Sequence, residues 1–461
     1  MTERSRAPRL RRGRLALAEL PLHPAGLPGY RAAVEVVRRL RKAGHAAYLV
    51  GGGVRDLVMG FAPKDFDIVT SATPDQTQAL FSRSIPIGAQ FGVVTVLHRG
   101  LSFEVATFRA EGDYRDGRRP DWVRFADLES DLARRDFTIN SLVLDPDEEE
   151  VLDWCGGLAD MRRGVVRTIG DPQARFQEDA LRMLRAVRFA ARFGYRLERA
   201  TRGAVVAAAD TITRVATERI WQELEAMWSD ANRSVALALL RDTGLLVRVV
   251  PTLAHLASGR GETEHLWTRT LRRIEALPKD TPGEVAWACL LADAVCPEEP
   301  PRERWDGDGP YALEEARAAE EIMTRLRAPR KLIRSVGGLL ARRWVWYRAH
   351  DLRYGSLARS IRRDTNGCLL LLWKADAAGL GRADVVLVVE KIAEDLRVSG
   401  KMLDGPNPPP VTGDRLLARG MEPGPHIQEL LAEGERLWLE GGLDTEEQLG
   451  AWLEALGGSA R

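Results

Sequence analysis

Residues 51–69 read GGGVRDLVMGFAPKDFDIV, and the fold turns on how this stretch is parsed. FDIVT (66–70) alternates apolar positions as a half-buried strand requires. Asp65 and Asp67 stand two apart, so period-two geometry puts both carboxylates on one face, about 6–7 Å apart along the strand. Phe66 and Ile68 then turn to the core. Neighbouring carboxylates repel, and a cation is the natural remedy. Oxygen ligands at this spacing suit Mg²⁺ held jointly with substrate phosphates. Upstream, Gly51, Gly52 and Gly53 supply a backbone that can approach a phosphate closely, with amides at the start of a short helix. Arg55 adds a charged fork for phosphate oxygens. No GK[ST] follows, so this is not a Walker loop. A triple glycine or a DxD pair alone fits a solvated turn; together they specify a site for a triphosphate and a metal.

Working outward, AAYLV (46–50), GVVTVL (92–97) and SFEVATF (102–108) also read as strands, with helices at DLVMG (56–60) and PDQTQALF (74–81). LVLDPD and EEEVLDW (142–154) form a hairpin pattern. This is an α+β unit with a small mixed sheet. A helix at 31–43 precedes it and ends at Gly44. Beyond about residue 165 the strand pattern stops. Segments 173–193, 201–229, 233–248, 264–276, 283–295 and 312–326 repeat apolar residues at three and four, as helices do. GPNPPPVTG (405–413) breaks the chain before a last helical piece at 424–457. The expected division is a basic tail at 1–27, a catalytic head at 28–165, a helical neck at 166–230, a helical body at 231–328 and a helical C-terminal tail at 329–461.

The 461 residues carry a net charge of +1, so attraction to nucleic acid has to come from local clusters. No stretch reaches the roughly 18 apolar residues of a membrane span. Cys155, Cys289, Cys296 and Cys368 form no CxxC pair, which excludes a zinc knuckle and fits a reduced, cytoplasmic setting. Basic helical positions that are candidate phosphate contacts are Arg272, Arg273, Arg330, Lys331, Arg342, Arg343, Arg362 and Arg363; a solvated surface is the plain alternative for each.

RFQEDALRMLRAVRFAARFG (175–194) spaces Asp179, Arg182, Arg185 and Arg188 by three, so neighbours fan along a helix, with Leu181, Leu184 and Val187 beside them. One reading is a salt-bridged surface with Glu178 paired to Arg182. The other is base recognition. Cytosine and adenine both present an exocyclic amine beside a ring nitrogen acceptor, whereas guanine and uracil present a carbonyl beside a ring N–H. A carboxylate next to a guanidinium complements the first pattern and opposes the second. Asp179 would accept from the amine and Arg182 would donate to the ring nitrogen.

The segment at 51–69 resembles the signature of the DNA polymerase β-like nucleotidyltransferase superfamily, in the branch of bacterial CCA-adding enzymes and poly(A) polymerases. The resemblance is strong over roughly residues 30–250 and returns near 405–443. It implies a polymerase β-like head, with Asp65 and Asp67 holding two Mg²⁺ ions and Gly52 and Arg55 contacting the triphosphate. Glu104 sits where some members carry a third carboxylate. DLARRDFTINSL (131–142) matches the next motif, so Arg134 and Arg135 are expected at ribose or phosphate, with Asp136 and Asn140 bracing the turn. In the third motif the family's matching positions assign base reading to Asp179 and Arg182, supported by Arg185, Arg188 and Glu178.

The implied activity is template-independent transfer from CTP and ATP to an RNA 3′ end, with pyrophosphate released. The arginine-rich GDYRDGRRPDWVRF (112–125) resembles the flexible loop of CCA-adding enzymes, and residues 408–443 resemble their C-terminal tail; both point to tRNA. Poly(A) synthesis is the alternative. From other classes, the rivals are a non-catalytic RNA-binding protein on this fold and a small-molecule nucleotidyltransferase. Some relatives add a His-Asp phosphohydrolase domain. Here Ala292 stands where its histidine belongs, leaving Asp293 alone, and His255 and His265 are too few to build that site.

Overall fold

The computed structural model describes residues 13–86, 92–111, 123–258, 264–294, 310–348, 354–364 and 366–458. The chain forms two compact units: Met1–Glu223 with Leu239–Val249, and Leu224–Ala238 with Val250–Arg461.

The first unit is built on a mixed eight-stranded sheet. In chain order its elements are β1 (Gly13–Ala16), α1 (Pro28–Lys42), β2 (Ala47–Val50), α2 (Gly52–Val58), β3 (Asp67–Thr70), α3 (Pro74–Leu80), β4 (Ser84–Ile85), β5 (Val93–His98) and β6 (Leu101–Thr107). There follow β7 (Arg109–Glu111), β8 (Val123–Phe125), α4 (Leu128–Ala133), β9 (Val143–Asp145), β10 (Glu150–Asp153), α5 (Gly157–Arg163), α6 (Pro172–Glu178), α7 (Leu181–Phe193), α8 (Arg199–Ala208) and α9 (Thr217–Trp228). The sheet order is β1-β10-β9-β2-β3-β6-β5-β4, and β7 pairs separately with β8. Only the β3–β6 pairing in the large sheet is parallel. The mixed-sheet α+β head expected from the strand pattern is therefore the observed one.

Strand alternation sorts the core. Leu49, Ile68, Val105 and Leu144 pack on the face covered by Val36, Val37 and Leu40 of α1 and by Phe189 and Ala190 of α7. Val50, Val69 and Val143 face the other way onto Phe108, Leu132 and Trp154. Asp67 shares the parity of Val69, so it lies on this second face, at the strand's open end.

Several expectations need correction, among them the single helix over 233–248, which is two, Arg233–Asp242 and Leu245–Val249. The segment taken as a tail contains β1, which pairs antiparallel with β10 as an edge strand. GRLA has no alternation to read, because an edge strand needs mainly its backbone. Residues 1–12 lie outside the described residues, as do residues 112–122 of the arginine-rich loop. The single helix expected over 173–193 is two, α6 and α7, parted at Asp179, whose backbone is extended (φ −146°, ψ 102°). The helix expected over 201–229 is likewise α8, a 3₁₀ turn at Ala209–Arg214, and α9. Residues 424–457 also split, into Pro425–Leu439 and Glu446–Gly458.

Among the described residues the second unit is helical throughout. Its centre is ionic. Asp376 accepts from Arg273 Nε at 2.8 Å, from Arg343 Nε at 2.9 Å and from Trp346 Nε1 at 3.3 Å. Asp293 accepts from Arg269 at 2.7 Å, Arg273 at 2.9 Å and Arg343 at 3.2 Å. Glu315 adds a bond to Arg343 and another to Trp344 Nε1. Arg273 and Arg343 are thus fully buried structural charges, not phosphate contacts, and Arg362 is buried against Glu435. Asp293 is not isolated: where a His-Asp centre would need histidine, three guanidinium groups hold it. No described helix is long and apolar enough to cross a membrane.

Candidate active site

The glycine triplet 51–53 leads from β2 into α2 at the end of the sheet, and each glycine there has its own cause. Gly51 has φ +79°, a left-handed conformation that favours glycine. A Cβ on Gly53 would sit 2.6 Å from the Asp65 carbonyl oxygen and 3.1 Å from the Phe66 ring. Gly53 therefore lets α2 press against the backbone that carries the carboxylates, a packing role rather than the expected phosphate approach. Gly52 opens onto the cleft, 3.6 Å from Arg55 Nη2 measured from the ideal Cβ. The Gly53→Ala variant is expected to keep the fold but lose roughly 10²-fold in turnover, because about 1 Å of displacement at Asp65 spoils alignment. Steady-state kinetics with an unchanged circular dichroism spectrum would establish this; full activity would show that α2 does not set the carboxylates.

Asp65 precedes β3 and is exposed; Asp67 opens the strand and is half-buried. The β3–β6 register sets Ile68 beside Val105, which places Asp67 beside Glu104 on the same face. Burial, with the charges of Asp65 and Glu104, pushes the Asp67 carboxyl up to about 6, against the pull of Arg135. This corner therefore carries surplus negative charge, which fits a divalent cation. Among the described residues no group of three or more His, Cys, Asp or Glu side chains forms a ready metal cage. Phosphate and water oxygens would have to complete a magnesium shell, as is usual for that ion.

Asp65 and Asp67 line a cleft of about 690 Å³ together with Gly51, Gly52, Arg55, Arg134, Arg135, Asp136, Asn140, Asp179, Arg182, Arg185 and Arg188. The structure thus gathers residues of all three motifs; Glu104 and Glu178 are not among the lining residues. Arg192, Arg219, Leu181 and Phe189 complete the lining.

The motifs are joined by one chain of polar contacts. Arg55 donates to Asp56 Oδ1 at 2.6 Å and to Asn140 Oδ1 at 2.6 Å. Asn140 donates to Asp136 at 3.1 Å, and Asp136 accepts from Arg185 Nε at 2.8 Å. Arg185 and Arg188 then share Glu223 of α9, at 3.6 Å and 2.6 Å. Burial alone would raise the Asp136 carboxyl, but Arg185, Asn140 and the Phe137 N–H hold it below the ordinary value. Arg55 is buried, with its guanidinium 4.8 Å from the Phe193 ring centroid, so much of its fork is spent inside the protein. Arg134 and Arg135 both pair with buried Asp131, at 2.6 Å and 3.2 Å.

At the third motif, Glu178 pairs with Arg182 at 2.6 Å, and Arg182 also donates to the carbonyl oxygens of Arg175 and Arg134. Asp179 does not pair with Arg182; its carboxylate faces Arg219 of α9, at 2.7 Å. Sequence reasoning missed Asp56, Asp131, Arg192, Arg219 and Glu223. Arg219 and Glu223 are four apart and share a helix face, but nothing local says that the face is turned to α7.

The Asp65/Asp67 pair beside a glycine turn thus shares one cleft with Asp179 and the arginines of α7, an arrangement suited to a nucleoside triphosphate and a divalent cation. The Poly A polymerase head domain matches residues 47–167, and the family described as "Probable RNA and SrmB- binding site of polymerase A" matches 194–256. The CCA-adding enzyme of Geobacillus thermodenitrificans is 38% identical over 318 residues, 68% of this chain and 70% of that protein. That of Leuconostoc mesenteroides is 46% identical over 207 residues, 44% of this chain and 51% of that protein. With the exception of the first, the matched region spans about half to three-fifths of such relatives, 61% and 54% in the Geobacillus kaustophilus and Geobacillus stearothermophilus proteins. The structure of the Bacillus stearothermophilus CCA-adding enzyme in complex with CTP superposes with a TM-score of 0.71 at 29% identity, covering 94% of this chain and 98% of that one. The chain belongs to the bacterial tRNA nucleotidyltransferase family, that of the CCA-adding enzymes.

Proposed function

We propose that this chain builds the CCA end of tRNA from CTP and ATP without a template. The observation that carries the reading is that one cleft is lined both by Asp65 and Asp67 and by Asp179 and Arg182. The first pair suits the triphosphate; the second suits the Watson–Crick edge of cytosine or adenine. The names of the relatives support tRNA over poly(A), and the Bacillus stearothermophilus relative is a CTP complex. Asp65 and Asp67, with Glu104 close by, would hold Mg²⁺, which when bound lowers the pKa of the attacking hydroxyl and offsets charge on the triphosphate.

The RNA 3′-oxygen attacks the α-phosphorus; a new P–O bond forms as the bond to the leaving pyrophosphate breaks. Arg135, close to Gly51 and Asp67, is assigned to the phosphates, with Gly52 and the unspent N–H groups of Arg55. Arg134, Asp136, Asn140 and Gly53 hold these groups in place. Arg185 and Arg188, tied to Glu223, keep α7 at the cleft so that Asp179 and Arg182 meet the base. Head (28–165), neck (166–230), body (231–328) and tail (329–461) are the proposed divisions of labour, and the cytoplasm is the proposed compartment.

Asp179→Ala or Arg182→Ala is expected to relax nucleotide choice, raising incorporation of U or G relative to C and A by about 10²-fold. Single-nucleotide kinetics on tRNA lacking its terminal CCA measure this. Unchanged selectivity in both variants would contradict base reading by the protein.

A further inference from the structure

The Asp179 carboxylate is engaged unevenly. Oδ1 accepts from the Leu181 N–H at 3.1 Å and from Arg219 Nη1 at 3.3 Å. Among the described residues Oδ2 accepts only from Arg219 Nη2, at 2.7 Å. Each carboxylate oxygen has about two acceptor positions. The open one is therefore on Oδ2, and Asp179 and Arg219 both line the cleft.

The backbone at Asp179 is the extended break between α6 and α7. It lacks the ladder that orients side chains inside a helix, and the terminal torsion of aspartate is broad and roughly two-fold. The Leu181 N–H holds Oδ1 alone, and the bidentate fork from Arg219 adds the constraint on Oδ2, because a guanidinium and a carboxylate lock in one plane. Arg219 itself stands on a fixed element: α9 buries Ile220, Trp221 and Leu224 and is tied to α7 through Glu223 and Arg188 at 2.6 Å.

We propose that Arg219 is the positioning residue of the base reader, orienting Asp179 so that Oδ2 accepts from the exocyclic amine of the incoming cytosine or adenine. Arg219 does not touch the base. The inference rests on the base-reading role given above to Asp179.

The test is a two-way cycle between residue and substrate. Incorporation kcat/KM is measured on tRNA lacking its terminal CCA, with CTP and with the CTP analogue carrying hydrogen in place of the 4-amino group. In the wild type, removing the amine is expected to cost about 10²-fold or more, because Oδ2 loses its donor. In Arg219→Ala this penalty shrinks at least about tenfold, toward that of Asp179→Ala, and Arg219→Lys restores part of it. A merely structural Arg219 would slow both substrates equally and leave the penalty at the wild-type value, which overturns the proposal. Should Arg219→Ala fail to fold, Arg219→Lys carries the same comparison. If Asp179→Ala itself keeps the full penalty, the base-reading role falls and the inference with it; if only the Arg219 variants keep it, the inference alone falls.

Discussion

Asp67→Asn is expected to lower nucleotide incorporation by on the order of 10³- to 10⁴-fold while raising the thermal midpoint of the metal-free protein. The two effects share one cause. Burial and the charges of Asp65 and Glu104 raise the Asp67 carboxyl from 3.8 to about 6. A raised carboxyl favours folding only while protonated. Its contribution is complete below about pH 4 and is lost as pH rises through about 6, after which the ionised group strains the fold. By linkage the shift is worth about 3 kcal/mol at most. Asparagine keeps the shape and removes the charge, so its advantage is small at pH 4 and full at pH 8. Thermal unfolding in EDTA at both values measures it. A midpoint lowered by the substitution at pH 8 would mean that the carboxylate is already compensated within the protein, and the cation site would lose its electrostatic basis.

The second large effect lies in the helical unit. Asp376→Ala is expected to destabilise that unit by about 3–5 kcal/mol, because it takes from two buried guanidinium groups the carboxylate they share and leaves their charge undercompensated. Arg273 and Arg343 are both fully buried, and each donates directly to Asp376. The same centre sets a pH window. Burial would raise the Asp376 and Asp293 carboxyls, but the surrounding arginines hold them below the ordinary range. That stabilisation is present above about pH 4 and is lost as pH falls further. Glu315 runs the other way: burial beside Asp293 and Asp376 pushes it up to about 8, despite Arg343. Its contribution is complete below about pH 4.5 and fades as pH rises through about 8. Urea unfolding followed by tryptophan fluorescence reports on the centre, since Trp344 and Trp346 bond within it. An unchanged midpoint for Asp376→Ala would mean that the arginines find other partners.

The head was legible because its information is local. Alternation at 66–70 gave the strand and the facing of Phe66 and Ile68, both buried as read. Three motifs were enough to gather the cleft. The break at Asp179 was not legible, since the three-residue spacing of 179, 182, 185 and 188 runs on as if one helix carried it. Arg219 and Glu223 escaped notice because their partners, Asp179 before α7 and Arg188 on it, lie 40 and 35 residues away. The misread arginines have the same origin. Arg273 sits four residues after Arg269, a spacing that also fits a wet helix face, while its partner Asp376 is 103 residues away. Nothing in a local window announces such a pairing.

On the function proposed above, one cleft joins a metal-dependent transfer site to a reader of cytosine and adenine. The most direct measurement follows extension of tRNA ending at the discriminator base, with CTP and ATP together and singly, with and without Mg²⁺. The expected result is a magnesium-dependent ladder that stops after C, C and A, with CTP alone stopping at CC. An open-ended run of adenosines, or no magnesium-dependent extension at all, would contradict it.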